Sequence, residues 1–315
     1  MTNSFSSEGH KAENASARGQ GLSRRHMLAA SAAGTAAVAS LLTMSSTNSS
    51  QAQSSARPSV PRDPLPASGN TILITGGGTG IGRALAEQFH QRGNTVIIAS
   101  RRTALLQEVA SHFPNMHAMT VDVRDPYSVK RLASEIVAAH PGLNVVFNNA
   151  GIMRPENVFD GDTALAESRD HIETNLHGPI RLTAALLPHL AKQPRARVVN
   201  TSSGLAFVPR ASFPTYCATK AGVHSYSLSL RHQLRRTPID VLELAPPALR
   251  TELTPGQSRI EAFMPLADFI TEVMSLFDQN PVPDEIIVQR ARVQRLAEAE
   301  NRFFQTFEAI NRVDG

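Results

Sequence analysis

The sequence contains one cysteine, Cys217, and no tryptophan. A lone thiol excludes an intrachain disulfide, so the fold must be stabilised by its hydrophobic core, as a domain of this size can be. The lack of an apolar run of about eighteen residues argues against an ordinary membrane-spanning helix. Aromatic residues are only 5% of the chain and no dense basic block accompanies the net charge of +4, so no nucleic-acid partner is expected. No metal site is predicted.

The N-terminal region carries a pattern of its own. Arg24 and Arg25 follow a polar start and precede a mildly apolar, Ala-rich stretch, Met27–Met44. Small residues then stand at Ser50-Gln51-Ala52, where a signal peptidase would cleave. This order resembles a twin-arginine export signal. The alternative is a chance arginine pair in a disordered tail.

These features predict three regions. Residues 1–52 form a twin-arginine signal peptide, residues 53–69 form a linker rich in Pro, Ser and Ala, and residues 70–315 form one folded domain. The expected location is the periplasm or the outside of the cell. If the tail is not a signal, the protein stays in the cytoplasm.

From residue 70 onward, short apolar runs alternate with helix-like stretches. The predicted strands are Thr71–Thr75, Thr95–Ser100, Met119–Val121, Asn144–Asn148, Arg197–Thr201 and Ile239–Ala245. The predicted helices include Ile81–Gln91, Thr103–His112, Tyr127–His140 and Thr215–Arg235. This alternation predicts an α/β fold with a doubly wound parallel sheet, covered by helices on both faces in three layers as a single domain.

The glycine-rich stretch TGGGTGIG, Thr75–Gly82, joins the first predicted strand to the first helix. Glycines at Gly76, Gly80 and Gly82 allow positive φ angles and close approach of a ligand to the backbone. The following helix directs free N–H groups and its positive dipole end at the same point. A strand before and a helix after are the context that a dinucleotide-binding loop requires, so we predict that it binds a pyrophosphate.

The end of the second strand predicts the type of dinucleotide. An acidic residue there would bind a free ribose 2′-hydroxyl, but the chain has Ser100-Arg101-Arg102. A guanidinium matches a 2′-phosphate, so NADP(H) is favoured over NAD(H). Asp122, after the third strand, is a candidate acceptor for the adenine amino group, or else a helix cap or turn residue.

A tyrosine and a lysine four residues apart, Tyr216 and Lys220 in YCATK, share one face of a predicted helix. An ammonium beside a phenol favours the phenolate, so we expect a lowered pKa for Tyr216 and general acid/base chemistry near neutral pH. Ser203 ends a predicted sheet strand, at the edge where ligands bind in such folds. Asn148–Gly151 ends the strand before it, and Asn175 lies in a helix pattern ahead of a Gly-Pro pair.

Together these motifs resemble the short-chain dehydrogenase/reductase family in its compact, single-domain Rossmann form, over residues 70 to 255. The resemblance implies a catalytic tetrad of Asn175, Ser203, Tyr216 and Lys220. Tyr216 is then the acid/base, Ser203 orients the carbonyl, Lys220 also binds the nicotinamide ribose, and Asn175 supports a water-linked proton relay. The implied cofactor contacts are Gly76, Thr79, Gly80, Ile81, Ser100, Arg101, Arg102, Asp122, Val123, Asn149, Ala150, Gly151, Tyr216, Lys220 and Thr251.

The chain departs from the family pattern after the sixth strand, where Pro246-Pro247 replaces Pro-Gly and stiffens the turn. Toward the C-terminus, Asp284–Gln289 resembles the family's last strand, and Arg295–Ile310 reads as an appended helix.

The leading functional hypothesis is an NAD(P)(H)-dependent oxidoreductase that interconverts a secondary alcohol and a ketone or aldehyde by hydride transfer. The alternative is a non-catalytic NADP(H)-binding sensor or scaffold. The expected substrate is a small apolar carbonyl compound or alcohol, because most candidate pocket walls are apolar. These walls are Met153, Phe159, Leu205, Phe207, Val208, Phe213, Leu249, Leu253 and Phe263.

A homodimer or homotetramer is expected by analogy with the family, which commonly pairs the tyrosine-bearing helix with its copy. Leu228, Leu230 and Leu234 are candidates for that face, or for the chain's own core.

Overall fold

The computed structural model describes residues 65–312, so the predicted signal peptide and most of the predicted linker lie outside the described residues. Within that range the chain forms one seven-stranded parallel sheet in the order β3-β2-β1-β4-β5-β6-β7. The strands are β1 Thr71–Thr75, β2 Thr95–Ser100, β3 Met116–Thr120, β4 Leu143–Asn148, β5 Ala196–Thr201, β6 Ile239–Leu244 and β7 Glu285–Ile286. The reversal of strand order beside β1 is the switch point of a doubly wound sheet.

Helices connect the strands and cover both faces of the sheet. The α-helices are α1 Gly80–Gln91, α2 Thr103–Ser111, α3 Pro126–Ala139, α4 Asp162–His171, α5 Gly178–Leu190, α6 Pro214–Gln233, α7 Leu266–Phe277, α8 Gln289–Arg295 and α9 Phe303–Asn311. A π-helical turn, Ile172–His177, joins α4 to α5. No helix in residues 65–312 is long and apolar enough to cross a membrane.

The alternating side chains of the strands divide the core into two layers. Ile72 and Ile74 of β1 face one layer, which α1, α2 and α7 complete, while Leu73 faces the other layer with α3 and α5. Because both faces of the sheet are buried, its strands are almost continuously apolar. The three-layer α/β/α prediction is therefore confirmed.

Three sequence predictions of elements differ from the structure. The predicted last strand, Asp284–Gln289, is only two residues long, Glu285–Ile286, and Gln289 already begins α8. The third strand runs over Met116–Thr120 rather than Met119–Val121, because this half-buried edge strand has a weak apolar pattern. The predicted C-terminal helix Arg295–Ile310 is instead the last residue of α8, a turn, and the helix α9 from Phe303. Asn301, with a φ of 56°, lies in the left-handed region between them and interrupts the helical path.

Residues 65–69, the end of the predicted linker, are attached to the domain by hydrogen bonds. Asn70 Nδ2 donates to the carbonyl of Pro66 over 2.7 Å, and Asn94 Nδ2 donates to that of Ala67 over 3.0 Å. Leu65 packs on the core layer that α1 covers.

Candidate active site

A cleft of about 1030 Å³ opens at the carboxyl ends of the parallel strands. This is the edge at which open α/β sheets bind ligands. All of the predicted cofactor-binding residues line the cleft, from the glycine-rich loop to Thr251. Ser203 lines it as well, but Asn175 does not.

The glycine-rich loop has the shape that a pyrophosphate requires. Gly76 has a φ of 69°, and Gly80, the first residue of α1, has a φ of 54°. A Cβ on Gly82 would overlap the carbonyl oxygen of Gly76, so this position admits no side chain. Thr79 precedes the helix without capping it, and no acidic residue stands in the first turn. The helix N-terminus thus suits an anion, and the loop fits the phosphates of a dinucleotide.

The end of β2 lies beside that loop. Arg102 donates from Nη2 to Thr79 Oγ1 over 3.0 Å, and its backbone N–H donates to Ser100 Oγ over 3.2 Å. Arg101 and Arg102 are both exposed and line the cleft. The two guanidinium groups therefore stand where a phosphate on the adenosine ribose would need cations.

Asp122 is a turn residue that pairs with a neighbouring arginine. Its carboxylate accepts the backbone N–H of Arg124 over 3.0 Å and the guanidinium of the same residue over 2.8 Å. The hydrogen bonds from Arg124 lower the pKa of Asp122. The sequence analysis did not identify Arg124, although a basic residue two positions after an acidic residue near the end of a strand could have predicted this ion pair. The cap of α3 is Asp125, not Asp122.

Three of the four predicted catalytic side chains meet below the loop. Ser203 and Tyr216 are both buried, and the Ser203 hydroxyl interacts with the phenol of Tyr216. Lys220 Nζ lies 5.6 Å from the centroid of the Tyr216 ring and donates to the carbonyl of Thr201 over 2.8 Å. One turn of α6 separates Tyr216 from Lys220, and β5 carries Thr201 and ends just before Ser203.

The expected lowering of the tyrosine pKa is wrong for this site. Burial raises the pKa of Tyr216 to about 12, and the hydrogen bond with Ser203 offsets this only in part. Burial also lowers the pKa of Lys220 to about 8. Desolvation disfavours the charged form of each group and is the largest effect on both pKa values. The phenol is therefore protonated at neutral pH.

Asn175 reaches the site indirectly. It lies in the π-helical turn, and its side-chain amide binds the backbone of Ile152: Oδ1 accepts the N–H, and Nδ2 donates to the carbonyl, each over 2.9 Å. Nδ2 also donates to Thr219 Oγ1 of α6 over 3.4 Å. The side chain of Asn175 thus fixes the loop that follows β4, and that loop lines the cleft. Such π-turns are frequent at functional sites.

A second buried pair, absent from the sequence predictions, fixes the same loop. His171 Nδ1 lies 3.2 Å from Glu156 Oε1, while its Nε2 accepts the backbone N–H of Arg154 over 3.1 Å. Glu156 Oε2 accepts the hydroxyl of Thr215 over 2.6 Å, which ties the loop to the first turn of α6. The pair joins residues far apart in the chain, so no local pattern indicates it.

The predicted substrate walls are only partly correct. Met153, Leu249 and Leu253 line the cleft. Phe159 is 92% exposed and lies off the cleft, because its short helical turn follows the loop outward. The remaining predicted walls do not line the cleft, since their side chains pack elsewhere: Leu205, Phe207, Val208, Phe213 and Phe263. Val208 and Phe213 are buried.

Prolines and charged groups complete the substrate end of the cleft. Pro246 and Pro247 line it, which is where the chain departs from the usual Pro-Gly. Arg154 also lines it, paired with Glu167 over 2.7 Å and with Asp170 over 3.1 Å. The sequence had not indicated these charged residues.

Comparison with known proteins supports this geometry. The family model described as short chain dehydrogenase matches residues 70–261. The chain is 47% identical over 184 residues to the uncharacterized oxidoreductase DltE of Bacillus subtilis, covering 58% of this chain and 73% of that protein. It is 34% identical over 188 residues to sulfoacetaldehyde reductase 2 of Chromohalobacter salexigens, covering 58% and 74%.

Among solved structures, a short-chain dehydrogenase from Streptomyces avermitilis superimposes with a TM-score of 0.66 at 27% identity, over 79% of this chain and all of that one. Since the family model spans most of the described domain and nearly three quarters of the Bacillus protein is matched, this chain belongs to the short-chain dehydrogenases, a family of oxidoreductases.

Proposed function

We propose that the protein is an NADP(H)-dependent oxidoreductase that interconverts a secondary alcohol and a ketone or aldehyde, with Tyr216 as the acid/base. The observation that carries this proposal is the convergence of Ser203, Tyr216 and Lys220 on the cleft that the glycine-rich loop also lines. A non-catalytic sensor has no need for a buried phenol and ammonium one helical turn apart beside a dinucleotide loop.

The residues present have clear tasks in this chemistry. When bound in the cleft, a nicotinamide cofactor supplies or accepts the hydride. Ser203 and Tyr216 hold the substrate oxygen with their hydroxyl groups, and Tyr216 gives its proton to a carbonyl oxygen or takes one from an alcohol. Lys220 stabilises the phenolate by its charge. The raised pKa of Tyr216 keeps the phenol protonated, the form that donates to a carbonyl.

The proposal is tested by replacing the phenol alone. Tyr216→Phe should abolish carbonyl reduction and leave NADPH binding within about twofold, because the lost hydroxyl acts on the substrate oxygen. Tyr127→Phe is the matched control, since Tyr127 is 81% exposed and lies outside the cleft. Unchanged turnover in Tyr216→Phe would refute the mechanism, whereas a wild type that binds NADPH without reducing any carbonyl compound would favour the sensor or scaffold.

The proposed cofactor preference for NADP(H) rests on Arg101 and Arg102. Both line the cleft at the end of β2, and Arg102 is held in place by Thr79. The β2 end offers an arginine pair where an NAD-binding site places a carboxylate.

The proposed substrate is a small apolar carbonyl compound or alcohol. Met153, Leu249 and Leu253 line the cleft, and the arginines nearby are already engaged. Arg154 pairs with two carboxylates, and Arg250 Nε donates to the carbonyl of Phe263 over 3.0 Å. An anionic substrate such as a sulfonated aldehyde would have to compete with these partners. A panel of ketones and anionic aldehydes tests this, and a preference for the anions would contradict it.

We further propose that the enzyme is a homodimer or homotetramer paired through α6. Of the three leucines considered, Leu228 is 44% exposed, whereas Leu230 is buried and Leu234 packs on the core. Leu228 is thus the one available for a partner. Light scattering on the purified domain should show a mass of at least two chains, and a monomer would contradict the proposal.

A further inference from the structure

A fully buried carboxylate, that of Glu243, lies near the catalytic lysine. Glu243 stands in β6 within IDVLEL, among apolar neighbours, and has no exposed surface. Burying an ionised carboxylate is costly unless hydrogen bonds and an opposite charge compensate it. Hydrogen-bond donors and a cation are therefore expected close to the Glu243 carboxylate.

Two side chains bind this carboxylate directly. His224 Nδ1 lies 2.7 Å from Glu243 Oε2, and Ser202 donates its hydroxyl to Oε1. Ser202 is the residue before the catalytic serine, and Asn200 of β5 is the register partner of Glu243. Both contacts hold the carboxylate between the end of β5 and the helix α6.

The same two elements hold the lysine ammonium. Lys220 lies on α6 one turn before His224, so the two side chains share a helix face. Its Nζ bonds to the carbonyl of Thr201, the neighbour of Ser202. Burial lowers the pKa of Lys220, and the negative charge of Glu243 opposes that effect. The carboxylate is thus held by the same two elements as the ammonium, and it does not line the cleft.

The other charged groups around this position have partners of their own. The guanidinium of Arg295, on α8, binds both oxygens of Glu285, on β7, over 2.8 and 3.1 Å. Arg231 donates to the carbonyl of Val241 over 2.7 Å and contacts Asp284. Burial raises the pKa of Cys217 to about 11, so this thiol is neutral.

One ring nitrogen of His224 and one carboxylate oxygen each of Glu243 and Glu285 lie within 4.8 Å of one another. Arg295 pairs with Glu285, and the charge of Glu243 also acts on Arg295. Glu243 is the carboxylate whose charge acts on Lys220.

We propose that Glu243 is a positioning residue: held by His224 and Ser202, it supplies the counter-charge that keeps Lys220 protonated beside Tyr216. The consequence for turnover rests on the proposed function, but the electrostatic effect exists without turnover. The proposal assigns roles to three side chains outside the catalytic tetrad: Glu243, His224 and Ser202.

The experiment follows the lysine directly by NMR of ¹³Cε-labelled lysine in the full-length protein. The other lysines are Lys11, Lys130 and Lys192, and Lys220 is assigned by its missing signal in Lys220→Arg. In Glu243→Gln the titration midpoint of Lys220 should fall by about one pH unit or more, since a neighbouring opposite charge is lost. Glu243→Asp should restore most of the shift.

Glu285→Gln is the matched control. It removes a carboxylate of the same cluster that Arg295 already neutralises, so the Lys220 midpoint should move by less than about 0.3 units. An unchanged midpoint in folded Glu243→Gln, or an equal fall in Glu285→Gln, would overturn the proposal.

A second variant decides the matter if Glu243→Gln does not fold. His224→Ala leaves the carboxylate charge in place and removes one of its partners, so the Lys220 midpoint should rise, and an unchanged or lower midpoint would overturn the proposal. In the catalytic assay, the alkaline loss of activity should occur at lower pH in Glu243→Gln than in the wild type. A Lys220 shift without any carbonyl reduction would refute the proposed function and leave this inference intact.

Discussion

Arg102 and Thr79 are joined by a hydrogen bond of 3.0 Å that links the end of β2 to the loop before α1. The bond fixes a guanidinium at the rim of the cleft, next to the glycines that shape the phosphate site. The cation is therefore positioned before any ligand binds, which lowers the entropic cost of recognising a phosphate.

Arg102→Ala should weaken NADPH binding by about tenfold to a hundredfold, the range expected for one lost charged hydrogen bond. NADH binding should change by less than about twofold, because NADH has no 2′-phosphate. Fluorescence titration of both reduced cofactors measures the difference. Arg83→Ala is the control, since Arg83 is a surface residue of α1 that pairs with Glu87. An equal loss for both cofactors would remove the case for NADP(H).

Leu253→Ala should raise the KM for an apolar ketone about threefold to tenfold, because part of an apolar wall is lost. Leu253 lines the cleft and is 40% exposed. The KM for a small polar carbonyl should change less. Leu165→Ala, a truncation of an exposed leucine on α4 outside the cleft, serves as the comparison. If both variants behave alike, Leu253 does not contact the substrate.

The pair of His171 and Glu156 predicts a pH dependence of stability. Burial lowers the pKa of His171 below 6.5, with Glu156 opposing this effect, so the folded protein binds fewer protons than the unfolded chain. The stabilising contribution is complete above pH 6.5 and is lost as the pH falls below it, by up to about 1.4 kcal/mol per pH unit. Protonation would also break the bond that Nε2 accepts from Arg154.

Denaturant unfolding between pH 5 and 8 measures this dependence. His171→Gln should reduce the slope of the unfolding free energy against pH in the acid range, even though it is less stable at pH 8. A slope equal to that of the wild type would mean that His171 is not the responsible group.

The export signal is tested by fractionation of cells that express the full-length chain. We propose that Arg24 and Arg25 direct folded protein, with its cofactor already bound, through the twin-arginine route. The wild type should be found in the periplasm with its N-terminus near Gln53, and a variant with Arg24→Lys and Arg25→Lys should stay inside. Uncleaved wild type in the cytoplasm would identify an ordinary cytosolic reductase.

The local motifs of this chain were sufficient to predict the phosphate loop and the Tyr–Lys pair. Gly76 lies in one turn and Tyr216 in one helix, so the residues of each motif are close in the sequence and their spacing can be read from it. The doubly wound sheet followed from the alternation of apolar strands and helices. The third strand was misplaced because Met116–Thr120 lies at the sheet edge, with little burial to shape its pattern.

The contacts that tune the site could not be predicted in this way. Glu243 and His224 come from different elements, and only the acid inside an otherwise apolar strand gave a signal. The sign of the Tyr216 pKa shift depends on burial, which spacing does not reveal. Most misplaced pocket walls are apolar residues that pack away from the cleft, since an apolar side chain looks the same in either setting.

The segment after Ser203 is contacted by residues of α8, which follows it by some eighty-five residues or more along the chain. A side chain on Gly204 would overlap Gln294, and the guanidinium of Arg295 lies 4.9 Å over the ring of Phe207. During synthesis on the ribosome, this segment therefore lacks these contacts until α8 has emerged, some ninety residues later. Contacts of such sequence separation form late in folding. Turnover should begin only after α8 has been synthesised.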